Sequence, residues 1–351
     1  MYKRSLLTLA VLAGTLMSIN AAQAQSSDKV LNLYSARHYA TDEVLYSTFT
    51  KTTGIKINRV DADDAGIITR LKAEGAASPA DLILLVDAAR LTKADADGLF
   101  LPIKSKKLDD SIPANFRSST TADGVTWTGY STRARVIVYD KVKVNKADVA
   151  TYEQLADPIN KGKVCTRSGS HPYNLSLFSS MMEHSDEAKT EAFLKGMVAN
   201  MARAPKGGDT DQIKAVASGE CGIALTNTYY LARLLRSTNP EDKAMMEKVG
   251  IVFPNQATWG THMNIAGGAV AKYAKNRDNA VLFMEYLASP FAQDHFANGN
   301  NEWPTVKGVV IENAALKAMS GGSFKSETIP LTAVAKNQVK VQQMLDRVGY
   351  K

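Results

Sequence analysis

The sequence is poor in the residues that most often build metal sites and disulfide scaffolds. Its 351 residues include only 2 Cys and 5 His, and no Cys-x-x-Cys spacing occurs. A two-cysteine zinc site and a small fold held by several disulfides are therefore disfavoured. Cys165 and Cys221 each lie in a segment predicted to be a strand. We predict a disulfide between adjacent strands, with two buried thiols as the alternative.

Signatures of common enzyme classes are also missing. No Gly-x-Ser-x-Gly, His-Glu-x-x-His or phosphate-binding glycine loop occurs, so we predict no enzymatic activity. Neither sign of charge dominates, because 42 Lys and Arg face 35 Asp and Glu, a net charge of +7. These basic residues are scattered, whereas nucleic-acid binding favours a basic stripe interleaved with aromatic residues. We therefore expect no nucleic-acid partner.

The first residues have the pattern of a secretory signal peptide. Lys3 and Arg4 precede an apolar run over 6–17, and Ala22-Gln23-Ala24 is a typical cleavage site. Removal of residues 1–24 subtracts the charges of Lys3 and Arg4 and leaves +5. No later stretch reaches the roughly 18 consecutive apolar residues of a transmembrane helix, and no Cys follows the cleavage site to carry a lipid. We therefore predict an exported protein that is free in its compartment.

The rest of the chain alternates between short apolar strands and amphipathic helices. Strands are predicted over 30–34, 55–60, 81–86, 135–139, 163–165 and 222–225. Helices are predicted over 41–52, 65–74, 151–156, 175–183, 187–200, 211–218, 272–289 and 331–348. This alternation indicates an α/β fold with largely parallel sheets, in two lobes.

Tyrosines occupy the loops that follow three of these strands. Arg37-His38-Tyr39 follows the first strand, Tyr173 follows the strand that ends at Cys165, and Tyr229-Tyr230 follows the strand over 222–225. Ligands collect at the carboxyl ends of strands in such sheets. Phenolate is a hard anionic donor, which suits ferric ion better than zinc or calcium. Each tyrosine alone is more often structural, so the coincidence of the three loops carries the hypothesis.

An aromatic site for an organic solute is the alternative. Aromatic ring faces bind cations, so the same tyrosines could hold a polyamine, a thiamine-like solute or a sugar. Only 3 Trp are present against 13 Tyr, which favours hydroxyl donors over a cage of ring faces.

Several segments resemble the periplasmic ferric-iron-binding proteins of ABC importers. They are residues 33–39, Ser78-Pro79-Ala80-Asp81, residues 127–140, Asn227-Thr228-Tyr229-Tyr230, residues 262–267 and Asn301-Glu302-Trp303-Pro304. The resemblance implies a two-lobed type II periplasmic binding protein clamp, each lobe a mixed, mostly parallel sheet flanked by helices. The N-lobe would comprise 28–127 with 255–302, and the C-lobe 128–254 with 303–351.

The resemblance also implies a site and a role. Ferric iron (Fe3+) would bind between the lobes to His38, Tyr39, Tyr173, Tyr229 and Tyr230, and the protein would pass it to an inner-membrane ABC permease. Some members use a Glu where this chain has Val86, so the sequence resembles the tyrosine-rich branch of cyanobacterial iron-binding proteins. We expect a monomer in the periplasm.

Charge balance predicts a nearby cation. Four phenolates around a trivalent ion leave one surplus negative charge, which is costly in a partly dry cleft. Arg203 is the first candidate for the compensating cation, followed by Arg133 and Arg37.

Overall fold

The computed structural model describes residues 29–37, 39–321 and 323–351. The predicted signal peptide over 1–24 and the predicted ligand His38 lie outside the described residues. Within the described part of the chain, no helix has both the length and the apolar character needed to cross a membrane.

Strands and helices alternate over most of the chain. The strands are β1 (Val30–Ser35), β2 (Lys56–Asp61), β3 (Leu82–Leu85), β4 (Phe100–Leu101), β5 (Thr128–Asp140), β6 (Val164–Cys165), β7 (Ile223–Asn227), β8 (Val249–Val252), β9 (Met263–Ala271) and β10 (Trp303–Pro304). The α-helices are α1 (Glu43–Thr53), α2 (Asp64–Glu74), α3 (Ala88–Ala96), α4 (Lys106–Ser111), α5 (Pro172–His184), α6 (Glu187–Ala199), α7 (Asp209–Ser218), α8 (Thr228–Leu235), α9 (Pro240–Lys248), α10 (Arg277–Leu287), α11 (Pro290–Asp294), α12 (Ala314–Ser320), α13 (Leu331–Lys336) and α14 (Gln338–Val348). Short 3-10 helices occupy Ala40–Asp42, Gly75–Ala77, Ala114–Phe116, Lys146–Val149, Glu153–Ala156 and Pro158–Asn160, and a π-helical turn occupies His295–Gly299.

Two sheets share the long strand β5. In the first sheet, β1 pairs in parallel with β2 and β3, and β9 runs antiparallel between β3 and the first half of β5. In the second sheet, the other half of β5 runs antiparallel to β7 and β8, and β6 is parallel to β7. The chain thus forms the α/β fold with mixed sheets that the sequence predicts. The sheets are not mostly parallel as predicted, because the central strands β5 and β9 run antiparallel to their neighbours.

Helices cover both faces of each sheet with apolar side chains. Phe49 of α1 and Phe283 of α10 pack on one face of the first sheet, and Leu91 of α3 packs on the other. In the second sheet, Phe178 of α5 covers one face and Ile213 of α7 covers the other. These cores fix the strand ends from which the tyrosine loops emerge.

Some element boundaries differ from the prediction. The predicted strand over 135–139 is the second half of β5, whose first half contains Ser131, Thr132 and Arg133 and is nevertheless buried. The predicted helix over 272–289 begins at Arg277, because β9 extends to Ala271. The predicted helix over 331–348 is divided into α13 and α14.

The predicted disulfide is confirmed. Cys165 at the end of β6 is bonded to Cys221, which lies two residues before β7, and both residues are buried. Since β6 and β7 are parallel neighbours, the bond joins the chain just before the Tyr173 loop to the strand that leads to Tyr229.

Candidate metal centre

The three tyrosine loops meet in one place. The hydroxyl oxygens of Tyr173 and Tyr229 are 3.1 Å apart. The ring of Tyr39 meets the ring of Tyr229 edge to face, with centroids 5.6 Å apart. Tyr230 packs against Tyr229 with centroids 4.2 Å apart. The structure therefore brings together the four tyrosines predicted as ligands.

Local sequence explains how each phenol reaches this place. Tyr39 follows β1 and precedes a 3-10 turn, so its ring projects from the end of the first sheet. Tyr173 lies in the first turn of α5, where His171 caps the helix and Pro172 has the fixed φ that suits the first helical position. Tyr229 lies in the first turn of α8, directly after β7. The amino ends of α5 and α8 carry partial positive charge, which favours anionic oxygen nearby.

A cleft gives access to this cluster. It has a volume of about 870 Å³, and Tyr39, Tyr173 and Tyr230 line it together with Arg167 and His171. Tyr229 is 1% exposed and Tyr173 is 6% exposed. Tyr39, Tyr173 and Tyr230 thus line an open pocket that is large enough for an ion and its accompanying water, and Tyr229 is buried against Tyr230.

The buried phenols hold their protons in the metal-free protein. Burial raises the pKa of Tyr39, Tyr173 and Tyr229 above the ordinary value of 10.0. Glu302 raises the pKa of Tyr39 further, while Arg133 lowers the pKa of all three phenols. A strongly charged cation is therefore needed to displace these protons at neutral pH.

Arg133 is the arginine at the centre of the cluster. Its side chain is buried, and its three guanidinium nitrogens have no hydrogen-bond partner among the described residues. Burial disfavours the charge of Arg133, but attraction to Tyr173, Tyr39 and Glu302 raises its pKa. A buried cation without a partner is costly, so this site is built to receive negative charge.

The other two predicted arginines lie in different surroundings. Arg37 stacks on the ring of Tyr39 at 4.7 Å, and its Nε donates to Asp42 at 2.6 Å. Arg203 lies elsewhere, where it binds Glu220 at 2.9 Å and Gln212 at 3.1 Å. Of the three predicted arginines, Arg133 is the one whose charge acts on Tyr39, Tyr173 and Tyr229 together, whereas Arg203 is hydrogen-bonded to Gln212 of α7.

Two buried carboxylates at the site were missed in the sequence. Glu302 accepts a hydrogen bond from the Tyr39 hydroxyl at 3.2 Å and one from Arg37 at 3.1 Å. Asp209 binds Arg135 at 2.5 Å and Arg167 at 3.1 Å, and both of these arginines lie against the ring of Tyr173. Glu302 falls within a segment that resembles the family, but nothing in its spacing indicates a contact 263 residues away.

Imidazole, thiolate and carboxylate clusters provide no rival metal site in the described chain. Over residues 29–37, 39–321 and 323–351, no group of three or more His, Cys, Asp and Glu is placed to hold a metal ion. The phenolic oxygens therefore remain the donor set that the structure assembles.

The sequence of this chain is similar to those of known proteins. The profile of the family described as bacterial extracellular solute-binding protein matches residues 45–319. The chain belongs to this family. Within the family, it is 44% identical over 330 residues to the iron uptake protein A1 of Synechocystis, which covers 94% of this chain and 90% of that protein.

Solved structures of solute-binding proteins have the same fold. A Trichodesmium protein, described as in complex with iron and citrate ligands, is 48% identical with a TM-score of 0.84, over 92% of this chain and 100% of that chain. A ferric binding protein from Campylobacter jejuni is 38% identical with a TM-score of 0.85, also over 92% and 100%. These similarities confirm the predicted family resemblance and the type II binding-protein fold.

Proposed function

We propose that this protein captures ferric iron with the phenolates of Tyr39, Tyr173, Tyr229 and Tyr230 and delivers it to an ABC permease. The observation that carries the proposal is the convergence of these tyrosines from three loops around Arg133, with the Tyr173 and Tyr229 hydroxyls 3.1 Å apart. His38 is proposed as a fifth ligand.

The chemistry of capture is an exchange of protons for a trivalent ion. The phenols of Tyr39, Tyr173 and Tyr229 hold their protons while the site is metal-free, because burial raises the pKa of each. Ferric ion replaces these protons with bonds to hard anionic oxygen, and the protons leave for the solvent. Arg133 offsets the surplus negative charge that four phenolates leave around the ion.

The ferric ion would lie between two lobes. The lobes comprise 28–127 with 255–302, and 128–254 with 303–351. Strand β5 runs through both sheets, and α13 packs against both α3 and α5. Closure of such lobes around a ligand is a common motion of binding proteins. The protein is proposed to act as a monomer in the periplasm, as a carrier and not an enzyme.

Similarity to known proteins supports iron as the cargo. The Synechocystis relative is called an iron uptake protein, and the Trichodesmium structure is described as containing iron and citrate ligands. The phenol geometry also favours iron over an organic cation, because an aromatic cage presents ring faces whereas here two hydroxyl oxygens meet.

Absorption spectroscopy tests the proposal. Purified protein supplied with a ferric salt is expected to develop a visible tyrosinate-to-iron charge-transfer band, and elemental analysis should find one iron per chain. Replacing both Tyr229 and Tyr230 with Phe should abolish or strongly shift the band. Tyr273→Phe is the matched control, since Tyr273 is 46% exposed. A colourless wild-type protein, or an unchanged band in the double variant, would contradict the proposal.

A further inference from the structure

Glu302 is a buried carboxylate that the proposed function leaves unexplained. Its exposure is 0%, one of its oxygens accepts the hydrogen bond of Tyr39 at 3.2 Å, and the other binds Arg37 at 3.1 Å. A fully buried carboxylate is costly unless it is paired. Its position beside a proposed ligand therefore calls for a role.

Unusual backbone conformations precede Glu302 and place its carboxylate beside the tyrosines. The preceding turn His295–Gly299 is π-helical, and Asn301 has a left-handed φ of 63°. Such conformations cost energy in a residue other than glycine and are often found at functional sites. The Asn301 side chain is held by Arg236 at 2.7 Å and by Asn313 at 2.8 Å. The turn is thus fixed from outside the site.

The residues after Glu302 fix its other side. Trp303 and Pro304 form β10, which pairs antiparallel with Thr132 and Ser131 of β5. This register brings Glu302 next to Arg133, and the two side chains attract each other. The carboxylate is therefore held between Tyr39, Arg37 and Arg133.

Iron binding would change the balance of charge around Glu302. In the metal-free site, the charges of Arg37 and Arg133 balance those of Asp42 and Glu302. A bound Tyr39 would carry its own negative charge beside the Glu302 carboxylate. Like charges at hydrogen-bonding distance repel strongly in a buried site. The bond from the Tyr39 oxygen to iron therefore competes with the hydrogen bond from Tyr39 to Glu302.

We propose that Glu302 is a positioning residue that holds the Tyr39 phenol in the metal-free site and competes with ferric iron for it, which speeds release. The inference rests on the proposed function. On capture, the Tyr39 O–H bond breaks, an oxygen–iron bond forms and the proton leaves to solvent. On release, the phenol regains a proton and its hydrogen bond to Glu302. No oxidant or reductant takes part.

Removal of iron by an external chelator tests this role. Glu302→Gln keeps the size and the acceptor oxygen but removes the charge. We expect excess EDTA to remove iron from the loaded variant about tenfold more slowly than from wild type, measured by decay of the charge-transfer band. In a Tyr39→Phe background, the same substitution should have no effect. Glu312→Gln, an exposed position on the same segment, is the matched control.

A second measurement does not depend on any variant. In a crystal structure of iron-loaded wild-type protein, the Tyr39 oxygen should lie beyond the roughly 3.5 Å limit of a hydrogen bond to Glu302. A retained hydrogen bond, an equal or faster release in Glu302→Gln, or the same slowing in the Tyr39→Phe background would overturn the inference. If wild-type protein forms no tyrosinate band, the proposed function itself fails, which is a different outcome.

Discussion

The two sides of the candidate site surround similar phenols with different charges. Tyr39 lies beside Glu302 and Arg37, and Arg37 is shared with a second carboxylate, Asp42. The ring of Tyr173 lies within 6 Å of three guanidinium groups, those of Arg133, Arg135 and Arg167. Because cations favour phenolate and carboxylates disfavour it, four chemically identical donors are expected to bind iron unequally.

Acidification should have the largest effect on iron binding. Protons compete with iron for each phenolate, so affinity falls as pH falls, by about tenfold per pH unit for each proton displaced. Between pH 7 and 5 we expect a loss greater than about ten-thousandfold, measured by chelator competition. Tyr39→Phe and Tyr173→Phe should each reduce the slope by about one proton. An unchanged slope in Tyr39→Phe would remove Tyr39 from the ligand set.

Iron loss in this range should precede loss of the fold. Burial opposes ionisation of Glu327, but His262, His184 and Ser180 lower the pKa of its carboxyl to about 2. Since this value lies below the ordinary 4.5, the stabilisation from Glu327 is complete above pH 4.5 and is lost as pH falls through 2. Circular dichroism at pH 5 should therefore show a folded, iron-depleted protein.

Single phenol replacements compare the two sides directly. Tyr173→Phe removes the phenol beside the arginines and is expected to weaken iron binding by more than about a hundredfold. Tyr39→Phe removes the phenol beside the carboxylate, and we expect a loss at least about threefold smaller. Chelator competition at pH 7 measures both. Equal losses would mean that the surrounding charges do not distinguish the two phenols.

Replacement of Arg133 tests the central cation. Arg133→Met is expected to weaken iron binding about 10- to 100-fold, because the surplus charge of the loaded site loses its compensation. Arg203→Met is the control and should leave iron affinity unchanged. A larger loss in Arg203→Met than in Arg133→Met would restore the prediction made from the sequence.

The disulfide should have the smallest effect on iron binding. Replacing Cys165 and Cys221 with Ser opens a loop with a sequence separation of 56 residues and is expected to cost about 2–4 kcal/mol of unfolding free energy. Because neither sulfur is a proposed ligand, iron affinity should change less than about threefold. Urea unfolding and chelator competition measure the two quantities. A large fall in affinity would mean that the bond positions the Tyr173 loop.

Sequence patterns predict the parts of this molecule that follow from local order. Tyr39 and Tyr229 are found because each directly follows a recognisable strand, and the Cys165–Cys221 pair is found because both residues border predicted strands. Tyr173 is found from the same alternation. In each case, a pattern in the neighbouring residues predicts the strand that the residue borders or follows.

The remaining features depend on contacts between distant segments. Arg133 and Arg203 are both unremarkable in sequence, and Arg133 lies beside Tyr173 because of the course of β5 through both sheets. Glu302 reaches Tyr39 through a π-helical turn and a left-handed Asn301. No periodic pattern in the sequence predicts either of these backbone features. The charged surroundings of the phenols therefore could not be predicted from the sequence, although the phenols themselves could.

Strand β5 changes partner between Ala134, which pairs with β9, and Arg135, which pairs with β7. Arg133 and Arg135 flank this changeover and, two residues apart on a strand, project from the same face. A rotation of one half of the molecule about the changeover would therefore swing one guanidinium relative to the other. Because both guanidinium groups lie within 6 Å of the centre of the Tyr173 ring, such a rotation would also change the electric potential at Tyr173.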